Sequence, residues 1–150
     1  DYRNLKEQVM NKFRLLLAVP AAVVSVALVT GCAGGRARDA QEVAERFVNA
    51  FYSADYETAA AMCSPELEEM VRETRTVIDS LPADAQAEFM ELSRGMQAHT
   101  VEVHTWSKDS VSVDFDIIYP GEIEPMKTSL TVVRNPDSDV WSVVYAQERM

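Results

Sequence analysis

The sequence predicts an α+β domain in which N-terminal helices pack on one face of a four-stranded antiparallel meander sheet. Two observations support this fold class. Apolar residues recur at helical spacing up to about residue 96, and from His99 onward they occupy every second position. Polar or turn-forming breaks at residues 107–110, 120–121 and 135–138 separate four strand-like segments. Because such short breaks join antiparallel neighbours, the segments are expected to pair in chain order.

Four helices are predicted before the sheet. The first spans about residues 40–53, where apolar side chains mark one face. Asp55 can cap a short second helix, and Ser64 followed by Pro65 is typical of the start of a third. Asp84 can cap a fourth helix.

The strand register follows from placing the apolar positions of all four segments on one face, the inner face. The expected pairs are Val103 with Phe115, Val101 with Ile117, Phe115 with Leu130, and Leu130 with Val143. This arrangement leaves no carboxylate and no histidine on the inner face. Since acid–base catalysis needs an ionisable group inside the cavity, the pattern argues against an enzyme.

Side chains between the helices and the inner face are candidates for a ligand pocket. They are Phe51, Thr105, Phe115, Thr128, Trp141 and Tyr145. A filled core and a pocket for an apolar small molecule both fit this set. The alternative is an isomerase- or hydrolase-like enzyme that uses Tyr145 or Tyr52 in this space.

The opposite, outer face of the predicted sheet carries acidic side chains and a histidine. In the expected register His104 lies opposite Asp114, and Trp106 shares their face with Val133 and Val144. Exposed apolar patches often mark protein interfaces, so His104, Trp106 and Asp114 are the candidate interface residues, for a homodimer or for another envelope protein. An open sheet face rarely supplies the convergent ligands of a metal site, so no metal and no cofactor are expected.

A separate feature lies upstream of this domain. Residues 10–14 form a short basic start, and residues 15–29 are apolar and uncharged. The apolar run is shorter than the roughly 20 residues of a permanent membrane span, and it is typical of a cleaved secretory signal. The residues that follow, Val29, Thr30, Gly31 and Cys32, resemble the lipobox of bacterial lipoproteins. In that motif the cysteine thiol accepts a diacylglyceryl group.

The lipobox resemblance implies how the chain is organised. Residues 1–9 are an upstream extension, 10–31 a signal peptide, 32–39 a lipidated linker and 40–150 the folded domain. The protein is then expected on the extracytoplasmic face of the cell membrane, held by acyl chains on Cys32. An ordinary transmembrane anchor is the alternative, which the short apolar run disfavours.

The net charge and the cysteine content argue against two classes of function, nucleic-acid binding and redox chemistry. The whole chain carries a net charge of −10, and the segment from Cys32 onward keeps 10 basic and 22 acidic residues, a charge of −12. Such a surface is not expected to bind nucleic acid. If Cys32 is acylated, Cys63 has no intrachain partner, and we expect a small buried apolar residue there rather than a redox thiol.

A wider resemblance covers about residues 40–147. The stretch "AERFVNAFYSADYETAAAMCSPEL", followed by four strands that end in "DVWSVVYA", resembles the nuclear transport factor 2-like superfamily, also called cystatin-like. The resemblance implies a cone-shaped α+β fold that hosts enzymes, binding pockets and dimerisation modules alike. More narrowly, the chain is similar to small bacterial lipoproteins of this fold with no assigned activity. The expected function is non-catalytic binding of a partner protein or an apolar small molecule at the cell envelope.

Overall fold

Four helices are followed by four strands in residues 34–149, the part of the chain that the computed structural model describes. The helices are α1 Gly34–Tyr52, α2 Tyr56–Ala60, α3 Pro65–Asp79 and α4 Ala83–Arg94. The strands are β1 Gln97–Ser107, β2 Ser110–Ile118, β3 Met126–Arg134 and β4 Trp141–Arg149. The α+β fold class predicted from the change of hydrophobic period is confirmed.

Helix α1 packs against all four strands of the sheet. It begins at Gly34, six residues before the predicted start, so most of the expected linker at residues 32–39 is helical. Its buried side chains include Ala44, Phe47 and Phe51, which recur at helical spacing. The buried face therefore starts near Ala40, as the apolar pattern predicted.

The helix boundaries follow local capping chemistry. Asp55 caps α2 as predicted, because its carboxylate accepts a hydrogen bond from the backbone N–H of Thr58 at 3.3 Å. Ser64 precedes α3, but its side chain makes no capping hydrogen bond. The prediction that Asp84 caps α4 is wrong: Pro82 holds the cap position, and Asp84 lies in the first turn.

The sheet has the strand order β1-β2-β3-β4, with every neighbouring pair antiparallel, which confirms the meander. The apolar inner face of the sheet packs on the helices and forms one core with them. The largest fully buried side chains of the sheet are Phe115, Ile117, Leu130, Val111, Val113, Val132 and Val143.

The predicted register is wrong between β1 and β2, by two residues at Val103 and by three at Phe115, and also between β2 and β3, where Leu130 lies opposite Val113 rather than Phe115. Val103 lies opposite Val113 rather than Phe115, and Phe115 lies opposite Thr100. The additional offset beyond Val103 arises from an irregularity between Thr100 and Glu102, where Val101 is an extra residue with no partner on β2. Val101 is consequently 54% exposed instead of facing the helices.

Trp106 is another extra residue in β1, and strand β4 contains a third irregularity of this kind, where the predicted register is also wrong. Leu130 lies opposite Ala146 rather than Val143, because Val144 is an extra residue between the pairs Tyr145–Thr131 and Val143–Val132. Beyond the bulge the faces exchange. Tyr145 turns to the outer face, whereas Ala146 is buried on the inner face.

None of the helices within residues 34–149 is sufficiently long and apolar to cross a bilayer. The predicted extension, the signal peptide and the lipobox residues 29–32 lie outside the described residues.

The junction between α1 and α2 provides a test of backbone strain. Ala54 has a φ of 69°, in the left-handed region that glycine adopts more easily. We expect Ala54→Gly to raise the free energy of unfolding by about 0.5–1 kcal/mol, since it relieves this conformation. Urea unfolding monitored by circular dichroism measures the change. A lower stability would show that packing of the Ala54 methyl group outweighs the strain.

Candidate functional site

The six predicted pocket residues do not line one cavity. Phe51, Phe115, Thr128 and Trp141 are buried in the packed core between the helices and the sheet. The remaining two are elsewhere. Thr105 is exposed on the edge strand opposite Val111, and Tyr145 lies on the outer face opposite Thr131.

A polar cluster interrupts the inner face at one end. The Tyr52 hydroxyl is hydrogen-bonded to the Thr128 side chain, and the Thr128 hydroxyl donates to the backbone carbonyl of Gln147 at 3.2 Å. Tyr119 donates its hydroxyl to the backbone carbonyl of Tyr52 at 3.1 Å. Helix α1 is thereby hydrogen-bonded to β3 and to the segment after β2.

Glu148 belongs to this inner cluster, which corrects the expectation that the inner face has no carboxylate. It is the cross-strand partner of Thr128, and its charge acts on Tyr52. The bulge at Val144 produces this placement, because without the extra residue Glu148 would alternate to the outer face. Sequence patterning contained no signal for it.

Burial raises the pKa of the tyrosine hydroxyls in this region, so they stay protonated near neutral pH. Desolvation, opposed by the hydrogen bond with Thr128 and assisted by the Glu148 carboxylate, raises the pKa of Tyr52 to about 12. Burial also raises the pKa of Tyr119, with a contribution from Tyr52 and Tyr56. Near neutral pH these side chains are therefore hydrogen-bond donors rather than bases.

The outer face of the sheet holds a second polar cluster. His104 Nε2 lies 3.6 Å from Glu102 Oε2 and 3.5 Å from Asp114 Oδ2. Arg149 Nη1 lies 3.2 Å from the same Asp114 oxygen. Asp114 is only 8% exposed, so its charge depends on these neighbours for compensation.

The predicted pairing on this face is corrected in detail. In the actual register His104 is opposite Ser112, and Asp114 is opposite Glu102. The His104 side chain is still long enough to contact Asp114, which lies two residues along β2 from its direct partner Ser112. Arg149, which sequence reasoning missed, completes it from the far edge strand β4.

Ligand atoms of Glu102, His104 and Asp114 lie within 4.8 Å of one another, a spacing that a divalent cation could bridge. The guanidinium of Arg149 occupies one side of Asp114 and adds a positive charge there. That charge works against a divalent cation, because the Asp114 carboxylate already has a positive partner.

Trp106 extends the outer cluster towards the β1–β2 turn. Its ring stacks on His104 with centroids 5.9 Å apart, and its indole N–H donates to Ser112 Oγ at 2.6 Å. Ser112 Oγ is in turn 3.2 Å from Thr131 Oγ1. Although the ring is fixed by these contacts, the side chain stays 41% exposed.

Cys63 is half-buried, rather than fully buried as the sequence predicted. Its thiol donates to the Ala59 carbonyl at 3.1 Å, and burial raises the thiol pKa to about 12. Since the thiolate is the reactive form, this cysteine is a poor nucleophile near neutral pH.

Comparison with solved structures identifies the fold. The chain resembles a cystatin-like fold protein from Burkholderia xenovorans with a TM-score of 0.55 and 19% identity, covering 75% of this chain and 89% of that one. It also resembles a ketosteroid isomerase-like protein from Erwinia carotovora atroseptica, with a TM-score of 0.43, 14% identity and coverage of 77% and 98%. Comparison with protein families and with curated proteins gives no match. The domain therefore has the cystatin-like, or nuclear transport factor 2-like, fold.

The buried tyrosines predict that alkaline pH weakens the fold. Because the pKa of Tyr52 rises from 10.0 to about 12 on folding, its contribution is fully present below pH 10 and is lost as pH rises towards 12. The loss is on the order of 2 kcal/mol. Urea unfolding at a series of pH values should show this fall, and Tyr52→Phe should reduce its size. An identical pH dependence in both proteins would contradict this account.

Proposed function

We propose that this chain is an exported lipoprotein, acylated at Cys32 and held on the extracytoplasmic face of the cell membrane, whose domain acts by non-catalytic protein binding. The lipobox resemblance of Val29, Thr30, Gly31 and Cys32 supports the anchor. Cys32 precedes the first described residue of α1 by two positions, so the folded domain would sit close to its attachment point.

The observation that carries the binding proposal is the preformed surface around Trp106. A half-exposed tryptophan held by a ring stack and a hydrogen bond loses little side-chain entropy when a partner covers it. Tryptophan, tyrosine and arginine are also enriched in interface cores, and the same sheet face presents Tyr145 and Arg149.

A second copy of this chain is the partner that the charge distribution favours. The chain as a whole is strongly acidic, so most of its surface repels another copy. The outer face is close to balanced, because Lys127 and Arg149 offset most of the charge of Glu102, Asp114 and Asp116. Two copies can therefore approach each other through this face with little repulsion.

The inner face argues against both an apolar-ligand pocket and a catalytic site, because four of the six residues predicted to line a pocket there are packed core. These four are Phe51, Phe115, Thr128 and Trp141. The observation that favours the alternative, an isomerase- or hydrolase-like enzyme, is the position of Glu148 beside Tyr52. Such an enzyme needs substrate-sized space next to Glu148, yet the neighbouring Thr128 and Phe115 are buried in contact with other side chains.

Trp106→Ala tests the proposed self-association. The expected result is at least about a tenfold weaker dimer, since exposed tryptophans at interfaces commonly contribute more than 1.4 kcal/mol. Native mass spectrometry of the full chain in mild detergent, at several concentrations, gives the monomer–dimer ratio. Ile123→Ala is the matched control, because Ile123 is an exposed apolar residue in the β2–β3 loop, away from this face.

A wild-type chain that stays monomeric at micromolar concentration would overturn the dimer proposal. So would a Trp106→Ala dimer as strong as the wild-type dimer. A loss of dimer in both variants would place the contact outside the outer sheet face.

Cys32→Ser tests the anchor. We expect the wild-type protein, extracted from its own membrane, to begin at Cys32 and to carry the mass of attached acyl chains. The variant should keep its signal segment and gain no lipid, because a serine hydroxyl does not replace the thiolate nucleophile. Cys63→Ser is the control for loss of a thiol. An unlipidated wild-type chain that begins at Met10 would contradict the proposal.

A further inference from the structure

A groove lies on the helical side of the domain, away from the outer sheet face. It has a volume of about 560 Å³, and it is bordered by the α1–α2 junction, by the second half of α3 and by α4. A small organic molecule would fit a space of this size. No function described above uses it.

Tyr56 at the base of this groove is the unexplained feature. Its side chain is 6% exposed and lines the groove, and its ring packs edge-on against Phe51. Within residues 34–149 its hydroxyl has no hydrogen-bond partner. Buried hydroxyls are nearly always paired, so an unpaired one at a cavity indicates a place where a ligand atom or a water completes the site.

The rim of the groove is acidic. Arg75 Nη1 pairs with Glu57 Oε1 at 3.1 Å, and Arg75 Nε lies 3.6 Å from Asp79 Oδ2. Asp55 is a third carboxylate at the edge. Three carboxylates face one guanidinium, so the site favours a positively charged group over an anion.

The opposite wall is apolar and adaptable. It is built from Ile78 of α3 and from Ala83, Ala87 and Met90 of α4. Methionine fits irregular shapes, and the buried residues of α4 are limited to Ala85 and Ser93 among those described. This helix can therefore adjust to a bound apolar body more easily than α1 or α3 can.

We propose that the groove is a binding site for a small water-soluble organic cation. Its amine would lie beside Tyr56 and the acidic rim, and its apolar part would lie against α4. The ammonium group donates to the Tyr56 hydroxyl oxygen and lies within reach of the carboxylates.

A charge-matched series of probes tests the site. Amide NMR of the full chain in mild detergent follows titrations with 2-phenylethylammonium, 2-phenylethanol and 3-phenylpropanoate, which share a shape and differ in charge. We expect saturable shifts at residues around Tyr56, and binding of the cation at least about tenfold tighter than of the alcohol. The anion should bind most weakly.

Tyr56→Phe isolates the hydroxyl. It removes an unpaired polar group, so the fold should persist, and binding of 2-phenylethylammonium should weaken about tenfold. Ser80→Ala is the matched control, because Ser80 follows α3 and does not line the groove. Equal affinity for the three probes, unchanged binding by Tyr56→Phe, or no saturation would each overturn the proposal.

The Trp106→Ala variant separates this site from the proposed function. Its affinity for the cation should equal that of the wild type, because Trp106 lies on the other side of the sheet. If the chain proves monomeric and still prefers the cation over the alcohol and the anion, the dimer proposal is wrong and the groove proposal stands. If it dimerises and shows no cation preference, only the groove proposal fails.

Discussion

The two faces of the sheet depend on the extra residues in its edge strands. Val101 and Trp106 in β1 and Val144 in β4 have no cross-strand partner, and each stands where the register shifts. Each insertion moves all later side chains to the opposite face, because side chains along a strand alternate with a period of two. Bulges also increase the local twist of the edge strands, which pack together with the central strands against α1.

These insertions determine which surfaces are available to partners. All three extra residues are apolar and exposed, so each places an apolar side chain on the surface of an edge strand. Irregular edge strands are also poor templates for pairing with another strand. Strand addition at the edges of the sheet is consequently disfavoured, and the self-association that we propose uses the outer face instead, where Trp106 is fixed.

The sequence pattern predicted what depends on local chemistry and on average periodicity. The four helices, the cap of Asp55 and the order of the strands belong to this class, since turn residues and apolar stripes specify them directly. The positions of Glu148 and Tyr145 could not be predicted in this way, because the average periodicity does not determine which face they occupy. A single inserted residue at Val144 exchanged their faces, and nothing distinguishes Val144 from its neighbours in the run of residues 143–145. Long-range side-chain reach, as between Arg149 and Asp114, was likewise invisible in the sequence.

The buried carboxylate of Asp114 shows how the two faces remain compatible. The central strand β2 places apolar side chains on the inner face and Ser112, Asp114 and Asp116 on the outer face. Asp114 is almost fully covered, and its carboxylate lies 3.5 Å from His104 of one edge strand and 3.2 Å from Arg149 of the other. The position of Arg149 depends on the same bulge that turns Glu148 inward. One inserted residue in β4 therefore provides the counter-ion on the outer face and the carboxylate on the inner face, and deleting Val144 would disturb both clusters together.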